Sequence, residues 1–287
     1  MNAEIKQVSS AVTDIIYKCG ATASASIYHM SDLHLDSPYC DRRQLERDLK
    51  AAEESGSVVM IAGDVFDAMQ THNDPRRSLE ELKAKYKVSN YLDAIVIDVT
   101  EFLGKFKVPY IIGLGNHETV ITKKLNTSLP DRLVFGINKG GGQALVMGYE
   151  GYLRIIFRYK KGSAGAMKVI YFHHGKGGNA PVTRGVIHTN RQAVAFRDAD
   201  LVHNGHNHQG YTVPISRACL SQNGTPYNDV MWFIRSPGYK SGGMPSGEQF
   251  GYGVEKHPEP TPIGFVRVDY EYNKRDGISI TPVPKIK

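Results

Sequence analysis

The chain has 287 residues, of which 41% are hydrophobic and 22% charged, an ordinary globular composition with enough length for a sizeable core. A formal charge of +6 suits an anionic substrate and permits nucleic acid. The three cysteines include no Cys-x-x-Cys pair, which argues against a disulfide framework or a thiolate zinc site and fits a reducing compartment. No apolar stretch reaches the length of a membrane span and no signal-peptide core is present, so a cytoplasmic protein without membrane attachment is expected.

In chain order, residues 1–25 form an N-terminal extension ahead of one domain spanning 26–287. Within it Ile5, Val8, Val12, Ile15 and Ile16 recur at helical spacing, and Gly20 closes a short amphipathic helix. A first strand over 26–30 is followed by Asp32 and His34. A helix over 41–55 leads to a buried strand over 58–61, with Asp64 just after it. The apolar period from Leu79 to Phe106 predicts a long helix over 78–106. A third strand over 110–112 precedes Asn116 and His117. Strand and helix therefore alternate in the first half, which implies right-handed parallel crossovers.

The glycine-rich middle, 130–165, carries alternating strands such as 152–157 and begins a second sheet. The run 169–172 is a strand ending in His173 and His174. A helical crossover over 189–198 leads to a strand over 199–202 and then Gly205-His206-Asn207-His208. Antiparallel strands over 230–234, 264–268 and 278–280 follow. The Gly-, Pro- and Ser-rich stretch 236–262 is expected to be an ordered loop or flap.

Five segments carry oxygen and nitrogen ligands: Asp32-Leu33-His34, Gly63-Asp64, Gly115-Asn116-His117-Glu118, His173-His174-Gly175 and Gly205-His206-Asn207-His208. Almost every one follows an apolar run, and open α/β sheets place their sites at strand ends. Asp32 and His34, two apart in an extended chain, share a face, as do His206 and His208. A carboxylate at Asp64 can bridge two cations, Asn116 offers a neutral oxygen, and His173, His206 and His208 offer imidazole nitrogens. That set suffices for two ions about 3.5–4 Å apart. His117 is better placed to face substrate, where it can protonate a leaving oxygen. The glycines at 63, 113, 115 and 205 permit sharp turns beside the ligands.

In this order the five segments resemble the calcineurin-like metallophosphoesterase superfamily. The resemblance implies an α/β fold of two β-sheets packed as a sandwich and flanked by helices, with a dinuclear site at one rim. It implies that one metal takes Asp32, His34, Asp64 and His208, and the other Asp64, Asn116, His173 and His206. His117 would be the catalytic histidine facing substrate. His174, Asp67 and Glu118 would sit behind the ligands or face substrate. Gly63-Asp64-Val65-Phe66-Asp67 and Ser31-Asp32-Leu33-His34-Leu35 further resemble the nuclease branch related to Mre11 and SbcD, and bacteriophage phosphoesterases, whose compartment would be the host cytoplasm. The expected activity is phosphodiester hydrolysis by attack of a metal-bridging hydroxide, with nucleic acid, DNA included, as substrate. The expected cofactors are two divalent ions, manganese first, with iron or zinc as alternatives. A phosphomonoesterase acting on nucleotides or phosphoproteins is the competing activity, and a non-catalytic scaffold a third reading. Outside the motifs, His29 is expected in a strand core, Asp67 as an orienting acceptor or a turn residue, and Tyr239 and Lys240 as loop packing or substrate contacts. Arg76 and Arg77 lie near the first-half motifs, and His188 sits in a basic loop with Arg184 and Arg191.

Overall fold

A computed structural model describes residues 3–69, 82–159, 165–177, 183, 185–240 and 261–287. The readings placed on Arg76, Arg77, Arg184, the first residues of the long predicted helix and positions 241–260 of the late loop lie outside the described residues.

The chain opens with β1 (Glu4–Ser9), β2 (Val12–Lys18) and β3 (Thr22–Met30), then α1 (Arg42–Glu54) and β4 (Val58–Ile61). After a short 3-10 turn at Ala84–Tyr86 come α2 (Tyr91–Leu103), β5 (Pro109–Ile112), α3 (Asn116–Leu125), α4 (Leu129–Lys139) and β6 (Gln143–Val146). The second half holds β7 (Glu150–Arg158), β8 (Ala166–His173), α5 (Ile187–Ala195) and β9 (Leu201–Asn204). It ends with β10 (Tyr211–Leu220), β11 (Pro226–Arg235), β12 (Gly264–Asn273) and β13 (Gly277–Ile286).

These strands form two mixed sheets. One is seven-stranded in the order β1-β2-β7-β8-β9-β11-β10, and the other six-stranded in the order β13-β12-β3-β4-β5-β6. Strands β3, β4, β5 and β6 pair in parallel, as do β8, β9 and β11. Their carboxyl ends therefore meet at one rim.

Strand alternation divides the core into three layers. Ile27, Val58, Met60 and Ile111 of the six-stranded sheet meet Leu153, Phe157, Ile170, Phe172 and Leu201 of the seven-stranded sheet between the two sheets. The opposite residues Tyr28, Val59, Ile61, Tyr110 and Ile112 pack outward on Leu45 and Leu49 of α1, Ile95 and Val99 of α2, and Leu133 of α4. Tyr171, Val202 and Phe233 do the same under Ala193 of α5. Because both faces of β4 are covered, its sequence is a continuous apolar run without alternation.

Two helix predictions are corrected. Residues 4–18 are a β-hairpin, not an amphipathic helix, and the presumed extension adds two strands to the seven-stranded sheet. β2 lies between β1 and β7, and its Ile15, Ile16 and Tyr17 are all buried. β-branched residues suit such a doubly flanked strand. Register sets Asp14 against Arg154, and the two form a two-pronged ion pair at 2.6 and 2.8 Å. The helix predicted over 78–106 is interrupted. Its described part is the 3-10 turn, a break at Lys87–Asn90, and α2, whose Ile95, Val99 and Phe102 keep the apolar period. Asn90 begins α2, its carbonyl accepting from the Asp93 and Ala94 amides at 3.0 and 3.1 Å. Residues 129–139, overlapping the start of the glycine-rich region 130–165, fold as α4, begun by the Ser128 side chain accepting from the Asp131 amide.

Candidate metal centre

The rim loops continue the ladder beyond the strands. The amides of Asp32, His34 and Leu35 donate to the carbonyls of Gly63, Asp64 and Val65 at 3.0, 3.1 and 2.9 Å. Leu33 and Leu35 are buried in the core while Asp32 and His34 turn to the rim. The shared face expected of Asp32 and His34 holds, but not through extended backbone. Asp32, His34, Asp64, His206 and His208 all have positive φ, from 45° to 77°. Such residues cost roughly 1–3 kcal/mol each when held in sparsely populated regions, and they collect where function over-determines the backbone.

The side chains fall into groups spaced as ligands around an ion. Asp32, His34 and His208 form one, Asp64, His174 and His206 another, and His34, Asp64 and His117 a third, with ligand atoms in each within 4.8 Å of one another. His34 Nε2 is 3.9 Å from Asp32 Oδ1 and 4.0 Å from Asp64 Oδ2. His208 Nε2 is 3.7 Å from Asp32 Oδ1, and the His34 and His208 rings stack with centroids 5.2 Å apart. Asp64 Oδ2 is 3.2 Å from His174 Nε2 and 3.8 Å from His117 Nε2. Asn116 Oδ1 is 3.0 Å from His174 Nε2. Asp64 thus stands between the groups.

These residues fit divalent cations. Asp32 Oδ1, His34 Nε2 and His206 Nδ1 are buried with no hydrogen-bond partner, and an unsatisfied buried polar atom costs about 1–3 kcal/mol. A cation in the Asp32–His34–His208 group would satisfy the first two, and His206 belongs to the group of Asp64 and His174. The oxygen and nitrogen donor set suits Mn, Fe or Zn.

A second layer of contacts fixes which atom each ligand presents. His34 Nδ1 lies 2.9 Å from Asp67 Oδ1, so Nε2 faces the cluster. His174 Nδ1 donates to the Ala62 carbonyl at 2.7 Å, with the same effect. Asp32 Oδ2 takes the Ser31 hydroxyl and the His206 amide, leaving Oδ1 for the cluster. Glu118, wholly buried, accepts from the amides of Asp64, Phe66 and Gly115 at 3.1, 3.0 and 2.8 Å. It clamps the loops after β4 and β5 together.

Burial opposes ionisation of Asp64, yet the neighbouring imidazoles, His174 foremost, hold its carboxyl well below the usual range. For His174 burial pulls downward, but Asp64 and Asp32 overcome it and push the ring up to about 9. Burial lowers His34 to about 4 against the pull of Asp67. Burial, then the Asp64 charge, raises Glu118 to about 7.

The structure places His174 in the cluster, not the expected His173. His173 Nδ1 accepts from the Gly175 amide at 2.8 Å, and its ring meets the Tyr149 edge. His174 shares the between-sheet side of β8 with Phe172, whereas His173 shares the outer side with Tyr171. The structure brings Asp32, His34, Asp64, Asn116, His206 and His208 together, with His117 at their border. His117, second residue of α3, donates its amide to Asp64 Oδ1 at 3.0 Å and directs Nδ1 at the Asp67 carbonyl. Its Nε2 therefore faces the cluster.

Asp36 and Lys240 add supports that the motif reading left out or undecided. Asp36 accepts from the Asp67 and Ala68 amides at 2.6 and 2.9 Å. Lys240 pairs with Asp67 Oδ1 at 2.7 Å. Tyr239 is core packing, its hydroxyl bound to Asp48 at 2.8 Å. Of the four glycines expected to form turns, Gly63 has positive φ, whereas Gly205 is needed for close approach: a Cβ there would meet Ser31 Oγ at 1.8 Å. His29 is buried as expected, facing His203 across the sheets with Nδ1 atoms 3.3 Å apart.

The sequence model of the calcineurin-like phosphoesterases matches residues 25–210. No curated protein matches the chain. Among solved structures, a conserved uncharacterised protein from Streptococcus pneumoniae, described as a predicted phosphoesterase, is similar at 13% identity, with 91% of this chain and 99% of that one covered and a TM-score of 0.30. GAP50 of Plasmodium, described as the anchor in the inner membrane complex, is similar at 13% identity over 91% of this chain and 84% of its own, TM-score 0.42. Vps29 of Entamoeba histolytica, solved with zinc, is similar at 11% identity over 90% and 98%, TM-score 0.35. These likenesses say nothing of this chain's substrate.

Proposed function

Because the chain belongs to the calcineurin-like phosphoesterase family, we propose that it hydrolyses phosphodiesters, with a nucleic-acid strand, DNA included, as substrate and two divalent ions, manganese first, as cofactors. The observation that carries this reading is Asp64, whose buried carboxylate stands between the Asp32–His34–His208 and His174–His206 groups. Divalent cations held there supply positive charge to phosphoryl oxygens and make water a better nucleophile near neutral pH.

The chain's own residues do the rest. Asp32, His34, Asp64, Asn116, His174, His206 and His208 would hold the ions. Asp67 and the Ala62 carbonyl turn the His34 and His174 rings so that Nε2 points inward. His117, with Nδ1 committed to a carbonyl, presents Nε2 as the group that protonates the leaving oxygen. The Gly63-to-Asp67 segment and the charge of +6 favour a diester on a polyanion over a monoester. The half-buried free cysteines suit a reducing cytoplasm, and no helix among the described residues is long and apolar enough to cross a membrane.

The test is turnover of bis-p-nitrophenyl phosphate, p-nitrophenyl phosphate and linear DNA with manganese and with saturating EDTA. The proposal expects both diesters to be cut with manganese alone. Ready turnover of the monoester with no cutting or binding of DNA at low salt would replace it by the phosphomonoesterase reading. No turnover of any substrate would point to a scaffold.

A further inference from the structure

Asp36 and Asp67 are two adjoining carboxylates behind the metal centre, only 4% and 7% exposed. Asp36 accepts from the Asp67 and Ala68 amides at 2.6 and 2.9 Å and from the Tyr91 hydroxyl at 3.0 Å. These donors are all neutral. Asp67 Oδ1 lies 2.9 Å from His34 Nδ1 and 2.7 Å from Lys240 Nζ. Among the described residues, Lys240 is the only Lys or Arg that contacts either carboxylate. Burying carboxylates without a cation is expensive, and one ammonium serves the pair here.

Lys240 is carried to this spot by a segment that is tied down along its length. After β11 the chain crosses from the seven-stranded sheet to the rim loops of the other sheet. The Ser236 hydroxyl donates to the His29 carbonyl at 2.6 Å. The Tyr239 amide donates to the Asp32 carbonyl at 3.0 Å, and the Asp41 amide to the Tyr239 carbonyl at 2.8 Å. Lys240 itself bridges Cys40 in antiparallel register. Gly238 allows the close crossing: its φ is +94°, and a Cβ there would meet the Asp32 carbonyl oxygen at 2.8 Å. The Lys240 side chain, only 22% exposed, is therefore aimed at Asp67 by backbone that has little freedom.

His34 can ligate through Nε2 only as a neutral ring with its proton on Nδ1. Nδ1 faces Asp67 Oδ1, the same oxygen that Lys240 holds. We propose that Lys240 is a positioning residue for the ion of the Asp32–His34–His208 group. It fixes Asp67 Oδ1 against His34 Nδ1, and the imidazole then presents Nε2 to that ion. The ion of the Asp64–His174–His206 group does not depend on it, because His174 is turned by the Ala62 carbonyl. The role rests on the two-ion reading of the rim and on no particular substrate.

The test is calorimetric titration of manganese into metal-free wild type, K240M, D67N and D67N/K240M, with urea unfolding of each. K240M should weaken one of the two manganese sites tenfold or more, as loss of a ligand's outer partner does, and leave the other unchanged. D67N/K240M should bind manganese no more weakly than D67N, because Lys240 acts only through Asp67. Unchanged affinity at both sites in K240M, an equal loss at both, or a further tenfold loss on adding K240M to D67N overturns the role. Should urea show K240M unfolded, the comparison of D67N with D67N/K240M decides alone. A wild type that binds no manganese overturns the metal centre and this role with it, whereas two wild-type sites that K240M leaves intact overturn the role alone.

Discussion

The two sheets contribute unequally to the rim they share. The six-stranded sheet supplies Asp32, His34 and Asp64, each at most 2% exposed, and after β5 the partly open Asn116 and His117. Their loops are bound to one another by backbone bonds and by the Glu118 and Asp36 carboxylates. The seven-stranded sheet supplies a buried His174, but its His206 and His208 are partly open. Their loop is tied in through the Gly205 amide to the His174 carbonyl at 2.8 Å and the His206 amide to Asp32 at 2.8 Å. The Asp32, His34 and Asp64 loops are a fixed frame for charge, and Asn116, His117, His206 and His208 form its partly open border. Preorganisation is concentrated where carboxylates must be held close against their mutual repulsion.

Substitutions can break this contrast. Asp64→Asn removes the charge common to both halves, and steady-state assays should show a loss of more than about a thousandfold, the upper range for one electrostatic group. His206→Ala strikes only the open half. Activity should drop about a hundredfold while the urea midpoint of the metal-free protein stays put. Glu118→Gln strikes only the frame. It turns an amide donor toward the backbone N–H groups that the carboxylate now accepts, so urea unfolding should show about 1–3 kcal/mol of destabilisation. If His206→Ala destabilises the chain as much as Glu118→Gln, the division between frame and open side fails.

The smallest effect is in pH. Without a cation His174 keeps its proton up to about 9, and a cation must displace it to use Nε2. Apparent manganese affinity should therefore rise with pH, by about tenfold per unit for one displaced proton, and flatten above about pH 9. His174→Asn should remove that slope in a competition titration. A slope unaffected by the substitution would mean that another group carries the proton.

Most of the site was legible because its residue types are costly to place at strand ends for any other reason. Asp32, His34, Asp64, Asn116, His206 and His208 follow strands whose apolar runs are plain, and the sheet order brings those ends together. The choice between His173 and His174 was not legible. The residues before them, 169–172, are apolar throughout because β8 is covered on both faces, so the sequence carries no alternation from which to read parity. A shift of one residue moves a side chain to the opposite face. The N-terminal hairpin was concealed in the same way: Ile15, Ile16 and Tyr17 are buried in succession, and the apolar positions matched a helical period by coincidence. β10 went unread because Pro214 interrupts it, which is tolerated on that edge strand.

Metal content per chain, measured by elemental analysis after manganese loading, tests the central claim most directly, with His173→Ala and His174→Ala beside wild type. The account predicts about two ions per chain in wild type and in His173→Ala, and no more than about one in His174→Ala. Loss of metal from His173→Ala with full retention in His174→Ala, or a wild-type chain that binds none, would contradict it.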